Sequence, residues 1–138
     1  VWRSEMKIQG GCYCGEIRYL SLGKPEASIQ CHCRECQYIT GGNPNVLMIF
    51  PLDNFQFTKG TPKEFKRSDL ENPVTRLFCN DCGTAIGTKS PLREKSIILK
   101  VGTFDDPSVF KPEIAIFTCD MQKFHHIDSS LKSFDKRP

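Results

Sequence analysis

A chain of 138 residues and 15.7 kDa has room for one domain with a modest core. Its 38% hydrophobic and 25% charged residues are ordinary for a globular protein, and a formal charge of +3 without any Lys/Arg-rich block argues against a nucleic-acid partner. No apolar run approaches the ~20 residues that cross a bilayer, and no charged stretch followed by a long apolar region marks a secretion leader, so no membrane partner and a cytoplasmic location are expected.

Val1 to Glu5 precede Met6 and are expected to be an expression remnant without a role, leaving residues 6–138 as one domain. Glu16 to Leu20 alternates, placing Ile17 and Tyr19 on one face of a strand and Glu16 and Arg18 on the other. A single helical turn is expected around Cys33 to Tyr38. Val46 to Phe50 is a continuous apolar run suited to a buried strand and stopped by Pro51. Phe55-Gln56-Phe57 alternates, and Gly60-Thr61-Pro62 reads as a turn. Further strands are expected at Thr75 to Cys79, Ile97 to Val101 and Glu113 to Thr118, with a helical turn near Pro107 to Phe110. The fold class is therefore mainly β, built from short strands, and the ten phenylalanines are expected to supply much of the core volume.

Short strands bury little each, so cross-links would help such a layout. Eight cysteines suit either four disulfides or metal ligation. A reducing compartment argues against disulfides, and the clustered spacing argues for metal. Gly11-Cys12-Tyr13-Cys14-Gly15 is a C-x-C pair between glycines. In an extended strand two such thiolates face one side, about 6.6 Å apart at the Cα atoms. Cys79-Asn80-Asp81-Cys82-Gly83 is a C-x-x-C pair. Together the two would form a closed four-thiolate zinc site, structural because no position is left for a substrate. Cys31-His32-Cys33-Arg34-Glu35-Cys36 offers three thiolates from six residues. Three protein ligands with a fourth position free describe a catalytic zinc, and two zincs per chain are expected.

Cys119 has two roles open to it. It closes the three-cysteine site as a fourth ligand, or it is a buried apolar residue after the Ile114 to Thr118 strand, the preferred reading. His32 lies between two ligands, so in an extended segment its side chain points away from the metal. His125 and His126 line a pocket or sit on the surface, and no histidine is needed as a ligand.

These residues resemble a known family. Gly10-Gly11-Cys12-Tyr13-Cys14-Gly15-Glu16, then Cys31-His32-Cys33-x-x-Cys36, then Phe78-Cys79-x-x-Cys82-Gly83-Thr84 are similar to the glutathione-dependent formaldehyde-activating enzymes, also called the CENP-V/GFA domain. The likeness continues through Val101-Gly102-Thr103-Phe104-Asp105-Asp106-Pro107 to Phe134-Asp135-Lys136-Arg137-Pro138. It implies an Mss4-like fold of short antiparallel sheets cross-linked by zinc. It also implies a structural zinc on Cys12, Cys14, Cys79 and Cys82, and a catalytic zinc on Cys31, Cys33 and Cys36. The implied activity is that of a carbon–sulfur lyase adding a thiol such as glutathione to a small aldehyde such as formaldehyde. The thiol's carboxylates call for cationic donors, for which Arg34 or the Lys59, Lys63, Lys66 and Arg67 region is one source, a solvated face being the preferred reading of those lysines. Gln37 and Tyr38 stand where many relatives carry basic residues. The alternatives are a non-enzymatic binding module with both zincs structural, and a methionine sulfoxide reductase-like redox enzyme using Cys119.

Overall fold

A computed structural model describes residues 6–138; Val1 to Glu5, the expected expression remnant, lie outside the described residues. In chain order the strands are β1 (Lys7–Gly11), β2 (Arg18–Leu22), β3 (Ala27–Cys31), β4 (Asn45–Pro51), β5 (Phe55–Lys59), β6 (Lys63–Phe65), β7 (Thr75–Phe78), β8 (Ala85–Lys89), β9 (Ser96–Lys100), β10 (Ile114–Ile116) and β11 (Lys132–Ser133). One α-helix, α1 (Arg34–Thr40), connects β3 to β4. The architecture is mainly β, and its sheets are antiparallel to mixed.

The three-stranded sheet has the order β1-β2-β5, and the eight-stranded sheet the order β11-β10-β3-β4-β9-β8-β7-β6. Pairing is antiparallel throughout except where β10 lies parallel to β3 and to β11. β4 is central, held between β3 and β9. Because both its faces are covered, it needs apolar residues at successive positions, which is why Leu47-Met48-Ile49-Phe50 runs without alternation. Met48 and Phe50 join the larger core with Ile8, Ile17 and Tyr19 of the three-stranded sheet's side. Leu47 and Ile49 point the other way, into a smaller core that contains Cys31 and Cys36. The strand ends at Pro51, its last residue.

The core is more aliphatic than the phenylalanine count suggests. Phe50 and Phe104 are buried, whereas Phe65 and Phe124 are 57% and 65% exposed. Isoleucine and leucine on the central strands fill the space instead, because β-branched and aliphatic side chains pack well on a pleated surface.

Gly10 of β1 bridges Phe104, in the segment that follows β9. A Cβ at Gly10 would stand 2.2 Å from the Thr103 carbonyl oxygen and 2.6 Å from the Tyr19 hydroxyl, itself hydrogen-bonded to Thr103 Oγ1 at 2.6 Å. Gly10→Ala is therefore expected to cost about 1–3 kcal/mol or more, measured as a lowered urea midpoint at unchanged slope. An unchanged midpoint would show that the strands can move apart freely.

Candidate metal centres

The C-x-C pair at Cys12 and Cys14 lies in the β1–β2 connection, and the C-x-x-C pair at Cys79 and Cys82 lies in the β7–β8 connection. The two turns are built alike. Cys12 N–H donates to Ile17 O and Cys79 N–H to Thr84 O, each five residues on. Gly15 and Gly83 follow at φ 83° and 78°, the left-handed region in which a side chain would be strained. The expected extended strand at Cys12–Cys14 is thus a turn, closed by Gly15 N–H donating to Cys12 O. A turn lets both sulfurs converge, where a flat strand holds its side chains too far apart.

The sulfurs of Cys12, Cys14, Cys79 and Cys82 all lie within 4.8 Å of one another. Cys12 and Cys14 are 3.6 Å apart, and Cys14 and Cys79 are 3.8 Å apart. Ligands at the Zn–S distance of about 2.3 Å in a tetrahedron stand about 3.8 Å from one another, so the spacing fits zinc. Backbone N–H groups of Ile17, Asp81 and Cys82 point at these sulfurs, as suits thiolates. The Thr84 hydroxyl holds Cys82 down at about 6.

The second group is Cys31, Cys33 and Cys36, also mutually within 4.8 Å. Cys31 ends β3, and Cys33 caps α1, its sulfur accepting from Cys36 N–H at 3.2 Å. The predicted helical turn at Cys33 to Tyr38 is this helix, which runs on to Thr40. Without a cation three neighbouring thiols cannot all ionise. Hydrogen bonds from Cys31 and Cys36 bring Cys33 down to about 2. The same contacts push Cys31 well above its ordinary value. The Cys31 bond lowers Cys36, but Cys33 and burial outweigh it and leave Cys36 at about 11. A divalent ion removes that conflict by neutralising the sulfurs together. Both clusters can bind metal ions, and soft thiolate donors in these geometries are consistent with zinc.

Several residues around the second group were not legible in the sequence. Asn45 Nδ2 donates to Cys36 Sγ at 3.7 Å, and its Oδ1 accepts from Lys100 Nζ at 3.0 Å. Burial draws the Lys100 ammonium below its ordinary value, against the pull of Cys36. Arg76 Nη2 pairs with Glu35 on α1 at 2.9 Å, and its charge reaches Cys33. Arg34 and Lys59, Lys63, Lys66 and Arg67 were the cations expected to receive carboxylates. Arg34 instead bonds Gln37 Oε1 and lies over the Tyr38 ring, Arg67 pairs with Asp69, and Lys59 bonds the Gly15 carbonyl.

His32 is fully buried and turned away from the sulfurs, its Nδ1 2.9 Å from His125 Nδ1. His125 Nε2 donates to Gly42 O, which leaves its Nδ1 to accept from His32 and from Gln122 N–H. His32 Nε2 then accepts from Gln30 Nε2, whose amide also donates to His126 O. These hydrogen bonds set the orientation of both rings, and burial lowers His32 below its ordinary value. This chain ties the Cys31–Cys36 segment to the C-terminal loops. Asp120 completes the tie, accepting from Arg34 N–H and, through its carbonyl, from Gln37 Nε2.

Cys119 is exposed and stands outside both sulfur groups. It is neither the buried residue preferred from sequence nor a member of the three-cysteine cluster. Phe117 explains its place: with φ 53° and ψ 40° it turns the chain out of β10, so Thr118–Asp120 forms a 3-10 turn. That turn aims Asp120 at α1 and leaves the Cys119 thiol facing solvent.

A small, mainly β protein with one cysteine cluster made by two distant turns and a second within a single segment is of the class whose thiol groups can hold metal ions. The sequence model of the glutathione-dependent formaldehyde-activating enzyme family matches residues 7–120, and the chain belongs to that family. No curated protein matches the chain. Among solved structures it is similar to a crystal structure of a Rhodobacter sphaeroides protein, with 14% identity and a TM-score of 0.55 over 70% of this chain and 87% of that one. That likeness supports the fold. No helix among the described residues is long and apolar enough to cross a membrane.

Proposed function

We propose that residues 6–138 form one zinc domain acting as a carbon–sulfur lyase, which joins a thiol such as glutathione to an aldehyde or releases it. In this reading Cys12, Cys14, Cys79 and Cys82 hold a structural zinc, and Cys31, Cys33 and Cys36 hold a catalytic one. The observation that carries the reading is the three-sulfur group, in which the eighth cysteine takes no part. Zinc bound there supplies a Lewis acid able to keep an incoming thiol ionised near neutral pH.

The chain's own residues prepare the place for that charge. A dication held by Cys31, Cys33 and Cys36 as thiolates would carry a net charge of −1, and an added thiolate would make it −2. Lys100 and Arg76 are the cations near these sulfurs. Asn45 holds Cys36 and Lys100 in fixed relation, so a second negative charge there would meet a cation already in place. The binding-module alternative calls for a fourth protein ligand, and Cys119 does not supply it.

Titrating glutathione into the cobalt-substituted protein tests the proposal. The expected result is a saturable change in the thiolate-to-cobalt absorption at millimolar thiol or below, absent in a variant lacking the three-cysteine site. No change at any thiol concentration would remove the lyase reading.

A further inference from the structure

A cavity of about 360 Å³, lined by none of the cysteines, shares α1 and Lys100 with the surroundings of the three-cysteine group. Its walls are Tyr38 and Ile39 of α1, Phe65 of β6, Leu77 of β7 and Ala85 of β8, and Lys100 reaches it from β9. Tyr38 and Phe65 are 79% and 57% exposed, so the aromatic wall stands open to solvent. Lys100 joins cavity to cluster, because its ammonium bonds Asn45 and Asn45 bonds the Cys36 sulfur.

The lining decides what fits. A tripeptide thiol placed here would face largely apolar walls, with Lys100 as the cation not already in an ion pair for its two carboxylates, so most of its polar groups would be buried unpaired. Formaldehyde, a single carbon, would leave the space unfilled. An aldehyde with an apolar body would cover the exposed rings, gaining roughly fourfold in affinity per methylene buried. Arg76, the other cation at the cavity, is matched by Glu35, so no anionic tail is required. Lys100 gives one N–H to Asn45 and has two more to offer.

We propose that this cavity takes the apolar body of an aldehyde of aromatic size, whose carbonyl oxygen accepts a hydrogen bond from Lys100 Nζ. The proposal rests on the carbon–sulfur reading above and names its carbon partner. In the forward step a sulfur lone pair forms the C–S bond and the carbonyl π pair moves to oxygen. That oxygen takes up one proton, replacing the one the thiol released on ionising, so a hemithioacetal forms with no oxidant or reductant. Lys100 stabilises the developing charge on oxygen, and the apolar walls hold the aldehyde's body with its carbonyl toward Lys100.

Two measurements on the zinc-loaded protein test this. In the first, 3-phenylpropanol, which cannot react, is titrated while amide resonances are followed. Saturable shifts at Gly87, Thr88 and Lys100 are expected at millimolar concentration or below, weakened about fivefold or more in Phe65→Ser. In the second, hemithioacetal formation from glutathione is compared for 3-phenylpropanal and formaldehyde. The kcat/KM for 3-phenylpropanal is expected to exceed that for formaldehyde by at least ~10-fold. In Lys100→Met, kcat is expected to fall for both aldehydes while the KM for 3-phenylpropanal changes little, a split that a merely structural lysine would not produce. If glutathione perturbs the cobalt protein but 3-phenylpropanol does not bind, or formaldehyde is preferred, the inference falls and the lyase reading stands. If 3-phenylpropanol binds while glutathione never perturbs the cobalt spectrum, the lyase reading falls and takes the aldehyde's role with it.

Discussion

Cys79→Ser is expected to unfold the protein or to leave it at the edge of stability. Cys79 is 1% exposed and sits 3.8 Å from Cys14, a residue 65 positions away in sequence. A metal held by this group joins the β1–β2 turn of the three-stranded sheet to the β7–β8 turn of the eight-stranded one. In the chain-entropy treatment of cross-links, closing a loop of that length is worth about 4 kcal/mol. Small proteins have about 5–15 kcal/mol in total, so losing the link removes a large share. The serine hydroxyl left among three sulfurs adds a desolvation cost without restoring a thiolate ligand. The measurement is thermal unfolding of the zinc-loaded proteins by circular dichroism, with a drop in Tm of about 10–20 °C or no folded baseline at all. Prolonged chelation of the unmodified protein should do the same. A variant melting within a few degrees of the parent would mean that packing alone holds the two sheets together.

This cross-link also shows where sequence reading succeeds and where it fails. Spacing reveals cysteine pairs because a metal imposes its geometry on near neighbours, and C-x-C and C-x-x-C have few other uses. It does not reveal the backbone between them: Cys12–Cys14 is a turn, set by Gly15 and by the hydrogen bonds across the β1–β2 connection. Strands with a continuous or alternating apolar signal, such as β4 and β2, were legible. β8, reading Ala-Ile-Gly-Thr-Lys, was not, since Gly87 is there because β9 approaches too closely for a side chain. The working surroundings of the three-cysteine site come from long range. His32 and His125 are 93 residues apart, Lys100 and Asn45 are 55 apart, and an isolated lysine or histidine in a sequence carries no sign of its partner. Cys119 misled for the same reason. Its burial depended on Phe117 continuing the strand, and Phe117 leaves it through a left-handed turn.

Cys33→Ser is expected to have the opposite profile, abolishing thiol chemistry while leaving the fold intact. The choice of serine matters. Cys33 both offers a sulfur to the cluster and caps α1 by accepting from Cys36 N–H at 3.2 Å. Serine is a favoured N-cap and keeps that hydrogen bond, so about 1 kcal/mol of capping is retained and only the soft ligand is lost. Cys31 and Cys36 bracket a short loop already held by α1, Asp120 and the buried histidine pair. A cross-link across five residues is worth no more than about 2 kcal/mol in the same entropy treatment. The folded state should therefore survive with one metal per chain instead of two, measured by metal content together with an unchanged circular dichroism spectrum. Even neighbours of a metal ligand typically change activity by about 10–100-fold, so loss of a ligand should lower hemithioacetal formation by more than ~100-fold. A Cys33→Ser protein that keeps both metals and its rate would place the chemistry elsewhere. The exposed Cys119 thiol is the first alternative to examine then, and Cys119→Ser in that background would decide it.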